Sequence, residues 1–178
     1  MRQYALITGS YWAFTLTDGA LRMLVVLYFH ELGYSPLDIA LLFLFYELFG
    51  VVTNLLGGWL AARAGLAVTL IGGLFLQVIA LSMLLVDASY LSVGYVMVAQ
   101  ALSGIAKDLN KMGAKSSVKL VAGNSQGRLY RWVAWLTGSK NALKGVGFFA
   151  GGAGLASIGF SASVAVMAVA MGVVGILA

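Results

Sequence analysis

The chain has 178 residues, 61% of them apolar and only 10% charged, and a formal net charge of +5. A soluble domain carries about 25% charged residues and needs them to cover its surface, so the solvent this chain implies is a lipid bilayer. The absence of cysteine excludes a disulfide framework, a thiolate zinc site and thiol catalysis, and the single histidine, His30, argues against a histidine metal site.

A helix that crosses a membrane needs about 20 mostly apolar residues. The first such run is Ala5–Phe29. It is too long for the hydrophobic core of a cleavable signal peptide and reads as a first spanning helix. Gly33 and Pro36 are stop and turn signals. Ser35 is placed to cap a second helix, Pro36–Ala61, with Pro36 in its first position and Asp38 near its positive end. After a turn at Arg63-Ala64-Gly65, a third helix covers Leu66–Val86 without a charge. Asp87-Ala88-Ser89 turns the chain into a fourth helix, Tyr90–Met112. Gly113–Gln126, with Lys115, Lys119 and Asn124, reads as a basic loop, with room for a short amphipathic piece, that leads to Arg128 and Arg131.

Gly145–Ala178 carries no charge. It is too long for one span and too short for two. A fifth helix over Leu129–Ala153, a turn at Ser157–Gly159 and a sixth helix from Phe160 resolve the conflict. The sixth helix is still apolar at Ala178, so a C-terminal half is expected to follow. The expected class is an all-α membrane protein, a single six-helix transmembrane domain over residues 1–178.

Lysine and arginine collect in cytoplasmic loops. With the N-terminus inside, the inner segments hold Arg2, Arg63, Lys115, Lys119, Arg128 and Arg131, and the outer turns around Glu31, Asp87 and Gly159 hold none. This predicts a multi-pass protein with a cytoplasmic N-terminus. The net positive charge then reports topology, and nucleic acid is not an expected partner.

Ionisable groups at membrane depth cost about 2.5–3.5 kcal/mol each on insertion scales, so they face a partner or a cavity. The first predicted helix holds Asp18 and Arg22, and the second Glu47 and Asn54. The fourth holds Gln100, Lys107, Asp108, Asn110 and Lys111, and the fifth Lys140, Asn141 and Lys144. The third and sixth hold no charge. The first, second, fourth and fifth therefore line a polar cavity in this reading, while the other two face lipid or a neighbour.

Asp18–Arg22, Lys107–Lys111 and Lys140–Lys144 are i,i+4 pairs, each on one helix face. Asp18 and Arg22 suit an ion pair, either as a structural lock or as part of a site. The lysine pairs repel and need water, acids or an anion beside them. Asp108 and Glu47 offset part of this charge, and the remainder points to a ligand with more than one negative group. Lys107 and Lys111 also suit snorkelling to the headgroups. Lys140 and Lys144 lie roughly 16 and 22 Å into the fifth helix, where that is harder. Glu47 reads equally as a proton carrier or as the counter-ion of Arg22. Tyr11, Trp12, Trp59, Trp132 and Trp135 read as interface anchors or packing. The glycines from Gly138 to Gly154 read as a close-packing face.

Gly58-Trp59-Leu60-Ala61-Ala62-Arg63-Ala64-Gly65 resembles the G-x-L-x-D-R-x-G signature of the major facilitator superfamily. Gly58, Leu60, Arg63 and Gly65 match, while Ala62 stands in place of the acid and Leu66 in place of the final base. Four longer stretches are similar to the organoarsenical efflux permeases of the ArsJ type: YWAFTLTDGALRMLVVL from Tyr11, GYSPLDIALLFLFYELFGVVTNLLGGWL from Gly33, AQALSGIAKDLNKMGAKS from Ala99 and GRLYRWVAWLTGSKNALKGVGFF from Gly127. The resemblance implies the N-terminal half of a twelve-helix exporter in the bacterial inner membrane. It implies a substrate, 1-arseno-3-phosphoglycerate, supplied by a glyceraldehyde-3-phosphate dehydrogenase as functional partner, and hence arsenate resistance.

The residues themselves then divide into expected roles. Arg22, Lys107, Lys111, Lys140, Asn141 and Lys144 are expected to bind substrate. Asp18, Glu47 and Asp108 are expected to balance charge or carry a proton, and Gly58, Arg63 and Gly65 to form a gating loop. No cofactor is expected. The alternative within the superfamily is an exporter of drugs, sugars or other organic anions. An enzyme is not expected, since neither a nucleophile–base pair nor a large soluble catalytic loop is visible.

Overall fold

The computed structural model describes the backbone of residues 2–122 and 126–178. Those residues form seven α-helices and no strand: α1 (Arg2–Glu31), α2 (Pro36–Leu42), α3 (Leu44–Ala64), α4 (Leu66–Met83), α5 (Val93–Ala122), α6 (Gln126–Ile158) and α7 (Phe160–Leu177). A short 3-10 turn, Ala88–Tyr90, precedes α5. Four segments are long and apolar enough to cross a membrane: Tyr4–Glu31, Pro36–Ala64, Leu66–Met83 and Phe160–Leu177. The chain is all-α, with helices of the kind a membrane protein uses. The helices α5 and α6, of 30 and 33 residues, have the length to span but carry the lysines.

The turns follow local chemistry. Ser35 caps α2 by accepting from the Asp38 N–H, and the Asp38 carboxylate accepts in return from the Ser35 N–H and hydroxyl. A cap of this kind contributes about 1 kcal/mol. Gly33, Gly65 and Gly159 sit at φ of 83°, 88° and 80°, where a side chain is disfavoured. They end α1, join α3 to α4 and join α6 to α7. Before the 3-10 turn, Asp87 accepts from the Ser89 N–H and hydroxyl, which holds its carboxyl below the usual carboxylate range.

Two expectations are corrected. The second predicted helix is not continuous, because the N–H of Phe43 turns to Ala40 in a tighter, 3-10-like bond and α3 begins anew at Leu44. The basic stretch after Met112 is helical as far as Ala122, where α5 ends. Its apolar run ends where predicted but the helix does not, since lysine and serine propagate a helix that has left the apolar layer. Asn124 lies outside the described residues, as does the side chain of Arg128.

The axis of the fold is α1 packed along α6, and α5 packed against both α3 and α4. Small residues permit the close approaches. A Cβ added at Gly147 or Gly151 of α6 would strike the α1 backbone at Leu16 or Ala20, and one at Gly104 of α5 would strike the backbone of Tyr46. Outside this core, α7 covers α4 and part of α1. The exposed faces are apolar, including Leu55 and Trp59 of α3 and Val169 and Ile176 of α7, as lipid-facing helices require.

Candidate functional site

A cavity of about 340 Å³ lies where α1, α3, α5 and α6 meet. Tyr11, Phe14, Thr15, Asp18 and Arg22 come from α1, and Glu47, Gly50, Val51 and Asn54 from α3. Lys107, Asp108 and Lys111 come from α5, and Lys140 and Lys144 from α6. No residue of α4 or α7 lines it. Five cations and three carboxylates thus surround one space, leaving a surplus of two positive charges.

The i,i+4 pairing expected for Asp18 and Arg22 is not formed, and both residues pair across helices instead. Arg22 donates from Nη2 to Glu47 of α3. Asp18, 5% exposed, accepts from the hydroxyl of Tyr46 and stands 3.8 Å from Nζ of Lys144. Lateral partners win because α1 presents both side chains to α3 and α6, and each ion pair there ties two helices together.

On α5, Asp108 is held between its neighbours. Lys111 Nζ is 2.9 Å from its Oδ1 and Lys107 Nζ is 3.7 Å from its Oδ2. Lys107 also lies 3.6 Å from Oε2 of Glu47. Gly50 makes room for this cluster, since a Cβ there would come within 2.9 Å of Asp108 Oδ2 and 3.3 Å of Lys107 Nζ. Among the described residues, Lys140 has no carboxylate within ion-pair distance.

Tyr46 is the residue that sequence reasoning missed. It is fully buried, with the Arg22 guanidinium and the Lys107 ammonium each 4.2 Å from its ring centroid. A cation over an aromatic face gains about 0.5–2 kcal/mol depending on desolvation. Its only sequence signal is a phenol beside a mid-span acid, too common to single out. Tyr11, expected as an interface anchor or packing residue, is buried in the core and also lines the cavity.

Other expected residues lie elsewhere. Asn141 is exposed and does not line the cavity, because it follows Lys140 by one position and a helix turns about 100° per residue. Gln100 and Asn110 are buried without hydrogen-bond partners among the described residues, away from the cavity wall. Gly58, Arg63 and Gly65 sit around the α3–α4 junction, where the Arg63 guanidinium lies 4.7 Å from the Trp59 ring centroid. Trp12 is held in the α1–α6 contact by donating to Ser139 Oγ at 2.8 Å.

No family model matches the chain, and no curated protein matches it.

Proposed function

We propose that this chain forms one half of a secondary transporter that exports a multiply charged organic anion by alternating access. The observation that carries the reading is the cationic surplus around a single cavity built from four helices. Positive charge kept at membrane depth is costly, and an anion of matching charge offsets that cost. Arg22, Lys107, Lys111, Lys140 and Lys144 attract the oxyanions, while Asp18, Glu47 and Asp108 offset part of their charge in the empty site.

In this reading α2 and α3 together make one span, so that six spans form the N-terminal half of a major facilitator fold. A second six-helix half faces the open side of the cavity, and the two rock about the substrate. The N-terminus lies in the cytoplasm and the membrane is a bacterial inner membrane. The substrate is an organoarsenical such as 1-arseno-3-phosphoglycerate, whose arsenate and phosphate groups suit the surplus charge. A glyceraldehyde-3-phosphate dehydrogenase supplies it, and export confers arsenate resistance.

The genetic test is growth in arsenate. Cells relying on a Lys144→Gln variant should lose resistance at unchanged protein level. Resistance equal to wild type would favour an exporter of drugs or sugars instead.

A further inference from the structure

The Arg22–Glu47 pair separates two spaces. On one side is the polar cavity described above. On the other is an apolar groove of about 400 Å³, whose lining includes Met23, Val26, Ala40, Phe43 and Phe148. Arg22 and Glu47 are the residues common to both linings. Polar space lies toward the N-terminal half of α1, and apolar space toward its C-terminal half.

The three carboxylates of the cavity differ in how they are held. Asp18 and Asp108 are buried, at 5% and 4% exposure. The side chain of Glu47 is 59% exposed, although it engages two cations. Each of its oxygens meets a different one: Oε1 accepts from Arg22 of α1, and Oε2 faces Lys107 of α5 at 3.6 Å. Both cations also lie 4.2 Å from the ring centroid of Tyr46. Two acceptor oxygens set between two cations from different helices are also what a phosphate, arsenate or carboxylate ligand offers. Arg22 Nε is buried with no hydrogen-bond partner among the described residues, so the guanidinium keeps a donor that Glu47 does not use.

We infer that Glu47 is an internal stand-in for the substrate's oxyanion: an arriving oxyanion takes its place on Arg22 and Lys107, and its release opens the partition between cavity and groove. The inference rests on the anion-cavity reading and adds a mechanism to it. Glu47 competes with substrate, so it sets affinity in the direction opposite to the cations around it. Asp18 and Asp108, being buried and pinned, stay in place.

The test is phosphate binding to the full chain in lipid nanodiscs, followed by calorimetry with inorganic phosphate as the probe. Glu47→Gln should bind phosphate about ten-fold more tightly, since two internal ion pairs no longer compete. Lys107→Gln should bind it more weakly. A second measurement uses the wild-type chain. Within residues 1–178 the glutamates are Glu31 and Glu47, and Glu31 closes α1 away from the cavity. Isotope-labelled glutamate gives an infrared carboxylate signal, and the component absent from Glu47→Gln reports Glu47. A shifted band supports displacement. An unmoved band while phosphate binds, or Glu47→Gln binding that is unchanged or weaker, overturns it. If neither wild type nor Glu47→Gln binds phosphate, the anion-cavity reading itself fails and takes this inference with it.

Discussion

The hydroxyl of Tyr46 on α3 donates to the carboxylate of Asp18 on α1, and neither residue reaches solvent beyond 5%. This bond places an aromatic ring against both Arg22 and Lys107 while holding a buried acid beside Lys144. Tyr46→Phe keeps the ring but removes a donor from a buried carboxylate, a loss of about 1–3 kcal/mol. The thermal midpoint in detergent should fall accordingly. Tyr46→Leu, which also removes the cation–π face, should fall further. Equal midpoints for the two variants would show that the ring does not hold the cations.

The α1–α6 contact sets how closely the cavity walls approach. A Cβ at Gly151 would overlap the carbonyl of Ala20, whereas one at Gly145 meets nothing within 4 Å. Gly151→Ala should therefore destabilise by about 1–3 kcal/mol through overpacking. Gly145→Ala should be neutral or gain about 0.5–1 kcal/mol, the usual helix preference for alanine over glycine. Paired unfolding curves in detergent check both, and a Gly151→Ala protein as stable as wild type would mean that the two helices do not pack as described.

These two cases show where sequence was informative. Helix starts governed by local chemistry were legible: Ser35 with Pro36, and Gly65 before Leu66, are covalent neighbours whose effect is felt within one turn. The charged residues of the cavity were legible too, because an ionisable side chain in an apolar run is conspicuous and its cost demands a reason. Partner choice was not. Asp18 and Arg22 share a helix face, which suggested a pair, but partners on neighbouring helices depend on rotations that one helix does not encode. The break at Phe43 and the continuation of α5 past Met112 were hidden for a related reason: hydropathy reports where a helix leaves lipid, not where its hydrogen bonds stop.

Orientation has a direct test, because the chain has no cysteine to replace first. Arg63→Cys, at the α3–α4 end, should react with a membrane-impermeant thiol reagent only in inside-out vesicles. Asp87→Cys, at the turn before α5, should react only in intact spheroplasts. The reverse pattern would invert the proposed topology, and with it the direction from which substrate enters.

The most direct measurement of whether the cavity carries an anion is substrate uptake into inside-out vesicles containing the full chain. The arsenylated ester is formed in the bath by glyceraldehyde-3-phosphate dehydrogenase with arsenate. The proposed export of an organoarsenical predicts that arsenic accumulates in wild-type vesicles, and at least about ten-fold less with Lys144→Gln, the loss expected for one partly buried charge contact. Accumulation no greater than in vesicles lacking the protein, or undiminished in Lys144→Gln, would contradict it.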